Sequence, residues 1–170
     1  MQKIVNGEVV EMNAEEIAEF EASQLPCCRI VDGELVFDSA AATIELNSLV
    51  SDRRASLESS GVVYTHTTAK TYQTGPIPTR PNKTYHEEYR DAGIGGINIP
   101  VNALDNSVDI FTPAQFDALY KRVVLLGIAL SASFQTLRAE AQVVTTIAEY
   151  EAVLSKINGD ADWPSVPFPE

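Results

Sequence analysis

Four kinds of residue in this chain have the chemistry for a reaction or a metal: two histidines, two cysteines, several adjacent carboxylates and a cluster of glycines. His66 and His86 are far apart in sequence, with His86 beside Glu87 and Glu88. A metal site needs three or four converging ligands with supporting groups behind them, and nothing here has the i, i+4 spacing that aligns ligands on a helix. The histidines therefore read as surface residues. Cys27 and Cys28 are neighbours, and a bond between adjacent cysteines closes a strained ring. Two thiols alone do not complete a four-ligand zinc site either, so they read as reduced thiols packed beside Pro26. The run "GIGG" (Gly93, Gly95 and Gly96 around Ile94) lacks the helix start and the Gly-Lys-Ser/Thr that a phosphate cradle requires. The carboxylate pairs Glu15/Glu16 and Glu87/Glu88 read as acidic solvated faces. A glycan hydrolase would need two carboxylates in unequal environments across a cleft. No Gly-x-Ser-x-Gly elbow is present. The residues predict a chain that is not an enzyme and has no catalytic, metal-binding or cofactor-binding side chains.

The bulk numbers narrow the partners. In 170 residues, 24 acidic side chains stand against 12 basic ones, a net charge of −12. Such a surface repels phosphate backbones and anionic headgroups, so neither nucleic acid nor a membrane is an expected partner. The longest unbroken apolar run, "VVLLGIAL" at Val123–Leu130, is far short of the roughly 20 residues that span a bilayer. The amino-terminal stretch turns acidic early, unlike a signal peptide, so synthesis in a cytoplasm is expected.

The elements that would carry any surface are clearer. "IVNGEVV" (Ile4–Val10) and "IVDGELV" (Ile30–Val36) place Asn-Gly and Asp-Gly between apolar runs, the strongest short-range signal for a tight hairpin. Each is followed by a helix start. Asn13 caps a helix with Glu15 and Glu16 in its first turn and Ile17 and Phe20 on one side. Asp38 or Ser39 caps another, with Leu46, Leu49, Val50 and Leu57 on one face and Gly61 as its stop. A third, looser unit runs through Asp105-Asn106, Val108 and Ile110 to Thr112-Pro113. Val62 to Thr74 reads as strand or hairpin. A last helix starts at Thr145 or Thr146, with Glu149 completing a capping box and Gly159 ending it. The predicted class is α+β: short β-hairpins each followed by a capped helix, one long central helix and a short C-terminal helix. The predicted division is an N-terminal hairpin–helix arm (1–25), a main domain (26–158) with an irregular Pro/Gly-rich loop at 75–100, and a Pro/aromatic tail (159–170).

The long helix starting at Thr112 carries Phe116, Leu119, Tyr120, Val123, Leu126, Leu130, Phe134 and Leu137 at steps of three or four. Its other side is apolar as well, through Val124, Leu125 and Ile128. A helix apolar all round is either buried in a core or used in assembly. Leu119, Val123, Leu126, Leu130 and Leu137 fit the core of one chain, and also a heptad seam that would serve a homo-oligomer. With Trp163 and Phe168 of the tail, they form the predicted interface.

"MQKIVNGEVVEMNAEEIAEFEA" resembles the opening of small proteins encoded near the tail-fibre genes of tailed bacteriophages. "DRRASLESSGVVY", "TYQT", "LDNSVDIFTPAQFDALYKRV" and "LRAEAQVVTTIAEYEAV" resemble a phage domain family of undefined function. The match is specific at Arg53, Arg54, Gly61, Asp105, Asn106 and Thr112 through Phe116. The proline-rich stretch 75–82 and the Val/Leu-rich centre of the long helix depart from that pattern. The resemblance implies a small virion component at the baseplate or tail fibre, made in the host cytoplasm. Its partner would be a tail-fibre or baseplate protein, and it transfers no catalytic residue. The alternatives it leaves open are a tail-fibre assembly chaperone absent from the mature particle and, less in keeping with the residues, a tail-associated glycan hydrolase.

Overall fold

The computed structural model describes residues 2–5, 8–32, 34–72 and 98–167. Strands β1 (Gln2–Val5) and β2 (Glu8–Glu11) pair antiparallel and lead into helix α1 (Ala14–Ser23). Strands β3 (Cys28–Val31) and β4 (Glu34–Phe37) pair and lead into α2 (Ser39–Ser59). Then come the hairpins β5 (Val62–Thr65) with β6 (Ala69–Tyr72) and β7 (Ile99–Asn102) with β8 (Val108–Phe111). Helices α3 (Pro113–Ala141) and α4 (Ile147–Asn158) complete the order. The class is α+β with a long central helix, as the sequence predicts.

The helices begin where local chemistry dictates. Orphan N–H groups at a helix start need acceptors, and a side chain three residues away supplies one. Asn13 with Glu16, Thr112 with Gln115 and Thr146 with Glu149 each form a reciprocal capping box, and Asp38 caps α2 through Ala41 N–H at 3.0 Å. Pro113 follows Thr112, where its missing N–H costs nothing. N–H groups donated chiefly by Thr145, with its hydroxyl, hold the Glu149 carboxyl below the usual range. At the turns, Asp32 (φ 53°) and Asn106 (φ 65°) take the left-handed conformation that tight turns demand. The Asn6-Gly7 turn lies outside the described residues.

The core is a three-helix layer with hairpins at one end. Leu46, Val50 and Leu57 of α2, Leu119, Leu126, Leu130 and Leu137 of α3, and Tyr150, Val153 and Ile157 of α4 are all buried together. Phe116, Val62, Tyr72, Ile99, Val101 and Phe111 extend this cluster into the hairpins. The β5–β6 and β7–β8 hairpins join through a Tyr72–Ala103 bridge and Leu104 N–H donating to the Thr71 carbonyl at 2.8 Å. Trp163 folds back onto this body, its indole N–H donating to the Ile157 carbonyl at 3.1 Å.

Three sequence expectations change. The irregular loop predicted for 75–100 ends earlier, because Ile99 and Pro100 belong to β7, with Ile99 buried and the N–H-lacking Pro100 exposed. The remainder of that loop, with His86 and the glycine cluster, lies outside the described residues. In β8 the alternation is right but Val108 and Ile110 face outward, at 55% and 51% exposure, while Phe111 enters the core. Finally, α3 is long and apolar enough, by length and composition alone, to cross a membrane. The unbroken run understated this, because polar uncharged residues extend the charge-poor stretch beyond Leu130.

Gly61 ends α2 at φ +79°, and an added Cβ would collide with the Tyr72 carbonyl oxygen. A left-handed conformation costs an ordinary residue about 1–2 kcal/mol before any collision. Gly61→Ala is therefore expected to lower the thermal midpoint by roughly 4 °C or more, measured by circular dichroism.

Candidate functional site

Two places among the described residues gather unusual side chains. The first is a polar cluster where the hairpins meet. The buried Tyr72 donates its hydroxyl to Asp109 at 2.6 Å, and Lys70 donates to the other oxygen of Asp109 and to the Ser107 hydroxyl, each at 3.0 Å. Asp105 accepts from the Ser107 N–H at 2.9 Å and its hydroxyl at 2.6 Å. Phe111 packs under this cluster, with the His66 ring stacked on it at 4.8 Å and the Tyr72 ring edge-on at 5.4 Å.

The electrostatics follow from these contacts. The Tyr72 hydrogen bond, opposed by partial burial and helped by Lys70, holds the Asp109 carboxyl below the usual carboxylate range. Burial first, then the hydrogen bond to Asp109 and the Asp109 charge, pushes the Tyr72 phenol well above its ordinary value. Lys70 is thereby neutralised by an ion pair and Tyr72 is fixed as a donor. A hollow of about 440 Å³ lined by Ala69, Lys70, Thr71, Leu104 and Asp105 lies beside the cluster. Its ammonium and carboxylate already satisfy their neighbours, so what the arrangement does is clasp β6 to the β7–β8 hairpin.

The cysteines are also accounted for by packing. Both are free thiols, and Cys27 is buried. Burial, then the neighbouring Cys28, pushes the Cys27 thiol up to about 11, which keeps it protonated and unreactive at neutral pH.

The second place is the outer face of α3. Here the predicted interface needs correction. Leu119, Leu126, Leu130 and Leu137 are at most 2% exposed, Val123 is half-buried against the same core, and Trp163 is buried on its own chain. The heptad seam is filled by α2 and α4, so the leucines of that seam face the chain's own core. Phe168 lies outside the described residues. What faces solvent instead is the opposite side: Val124 at 41%, Leu125 at 53% and Ile128 at 61% exposure, with Ala132 also exposed. From Ala118 to Ala139 the helix carries no carboxylate, although the chain as a whole is strongly acidic. An ordinary solvated helix face would be charged. The signal was visible in the sequence as a helix apolar on both sides. Which side lay outside was not.

The residues that carry the phage resemblance have structural work in this fold. Arg53 pairs with Asp160 at 2.6 Å, tying α2 to the tail. Arg54 pairs with Glu58, and its guanidinium, like that of Arg138, lies over the Phe134 ring, at 5.0 and 5.3 Å. Gly61 and Asn106 supply positive φ, and Thr112 caps α3. No protein-family model, curated protein or solved structure matches the chain.

The clasp gives a pH signature. Asp109 is depressed from its ordinary 3.8, so its stabilisation is complete above that value and is lost as pH falls below it. Tyr72 is raised from 10.0, so its share is complete below that value and is lost as pH climbs beyond it. Tyr72→Phe is expected to cost about 1–3 kcal/mol at neutral pH. It should also flatten both limbs of the stability–pH curve in urea unfolding, whereas limbs as steep as those of the wild type would count against the clasp.

Proposed function

We propose that this chain works by protein–protein contact, as a small non-enzymatic component of a phage tail at the baseplate or fibre. The observation that carries the contact reading is the outer face of α3 from Val124 to Ala132, where Val124, Leu125 and Ile128 stand in solvent with no charged side chain among them on an acidic molecule. Apolar anchors of this kind sit at the centre of interfaces, while the surrounding charges keep the free protein from unselective association. The phage assignment is supported by the resemblance of the opening hairpin–helix and of the stretches around Arg53–Arg54, Gly61 and Thr112–Phe116. The same open face supports a second reading, a fibre assembly chaperone, since a surface left uncovered in the free chain suits a client that is later released.

Mass spectrometry of purified virions separates the two. Stoichiometric presence is the expected result, and absence from particles, with presence in the lysate, would favour the chaperone. Neighbouring leucines test the contact face itself. Leu125→Asp is expected to leave helix content unchanged and stability within about 1 kcal/mol of wild type, yet to remove the chain from particles. Leu126→Asp places an unpaired carboxylate in the core, and a loss of more than about 3 kcal/mol should leave it unfolded by circular dichroism.

A further inference from the structure

We propose that the outer edge of β8 binds an extended segment of another protein as an added β-strand. That segment carries two apolar side chains flanking an uncharged or basic one. The edge is separate from the α3 face, and the two readings stand or fall independently.

The open edge follows from the pairing. In an antiparallel ladder, opposite residues alternate between pairs that exchange backbone hydrogen bonds and pairs that do not. Ala103 N–H donates to the Ser107 carbonyl at 2.9 Å, so the register carries the bonded pairs on to Val101–Asp109 and Ile99–Phe111. The N–H and C=O groups of Val108 and Ile110 therefore point away from β7. Pro100, opposite Ile110, fits a non-bonded pair because it has no N–H to donate. The Tyr72–Ala103 bridge sets β7 beside β6, leaving β8 at the end of the row. Among the described residues, nothing takes up the outward groups of Val108 or Ile110. Two other strand edges are capped. Arg122 of α3 donates to the Val63 carbonyl of β5 at 3.1 Å, and the Cys28 N–H of β3 donates to the Leu25 carbonyl at 2.9 Å. The β8 edge has no such cap, and no outward Lys, Pro or bulge to keep it from pairing. Val108 and Ile110 line it instead, at 55% and 51% exposure.

The edge itself specifies the occupant. Alternate N–H and C=O groups at strand spacing are satisfied together by another extended backbone, whereas a helix has already paired its own. Side chains opposite Val108 and Ile110 fall on the same outer face, so apolar or β-branched residues suit those positions. The residue between them falls beside Asp109, on the inner face. That position disfavours a second copy of β8. Matching Val108 with Ile110 of the other copy sets Asp109 directly against its counterpart, and like charges so placed are destabilising. A partner with an uncharged or basic residue there meets no such opposition, on a chain whose net charge is −12.

Amide exchange and chemical shifts of the full chain by nuclear magnetic resonance test this, with a capped Thr-Val-Lys-Val-Thr peptide titrated into the millimolar range as the probe. In the free chain the Val108 and Ile110 amides should exchange fast while those of Asp109 and Phe111 are protected. The peptide should protect Val108 and Ile110 and leave the inner pair unchanged. Ile110→Pro removes an outward N–H that the fold does not use, so it should keep the native circular dichroism and weaken binding by about tenfold or more. If that variant loses structure, the same peptide N-methylated at both valines replaces it, and should bind as weakly. Protection of Val108 and Ile110 in the free dilute chain would overturn the proposal, since the edge would already be covered. Protection that grows with protein concentration alone would overturn it in favour of a second copy. Peptide shifts confined to other residues, or undiminished binding by a folded Ile110→Pro or by the N-methylated peptide, would overturn it too.

Discussion

The stripe Leu119, Leu126, Leu130 and Leu137 can be buried only once, and the rest of the structure depends on that. These residues share one side of a 29-residue helix and meet Leu46 and Val50 of α2 and Tyr150, Val153 and Ile157 of α4. Burying each large apolar side chain contributes about 1.5–3 kcal/mol, far more than any surface ion pair in the molecule. With this stripe consumed internally, the orientation of α3 about its axis is fixed. Val124, Leu125 and Ile128 are consequently turned outward, and the open face is a by-product of the core.

Polar interactions refine this arrangement by setting angles and ends. Thr43 donates to the Ala141 carbonyl at 3.1 Å, Arg138 to Asn47 at 3.1 Å, and Lys156 to Glu140 at 2.8 and 2.9 Å. They register α2, α3 and α4 along their lengths where apolar packing alone is less specific. The Tyr72–Asp109–Lys70 clasp does the same for the hairpins. The residues behind the phage resemblance belong to this class: caps, turn formers and clasps that fix a shape. They bear on function through the surface that the shape presents.

Much of the fold was legible because its signals are local. A capping box spans four residues, so Asn13, Thr112 and Thr146 announce their helices without reference to anything distant. Positive φ at Asp32 and Asn106 is likewise a property of the turn itself. The faces were less legible. Val108 and Ile110 alternate as a strand should, yet the core is met by Phe111 and Asp109 reaches inward to Tyr72. The seam on α3 read as a core or as an oligomer contact. Periodicity gives the angle between side chains and leaves open what stands opposite them.

The sequence by itself determined to within a residue where the helices begin, the acidity of the surface, and that α3 has more apolar surface than one core contact needs. Only the tertiary structure decided that Leu126 is inside and its neighbour Leu125 outside. The physical reason is range. Capping and turn formation act within a few residues of chain, whereas burial depends on which distant segments pack against a face, and α2 and α4 occupy just one side of the long helix.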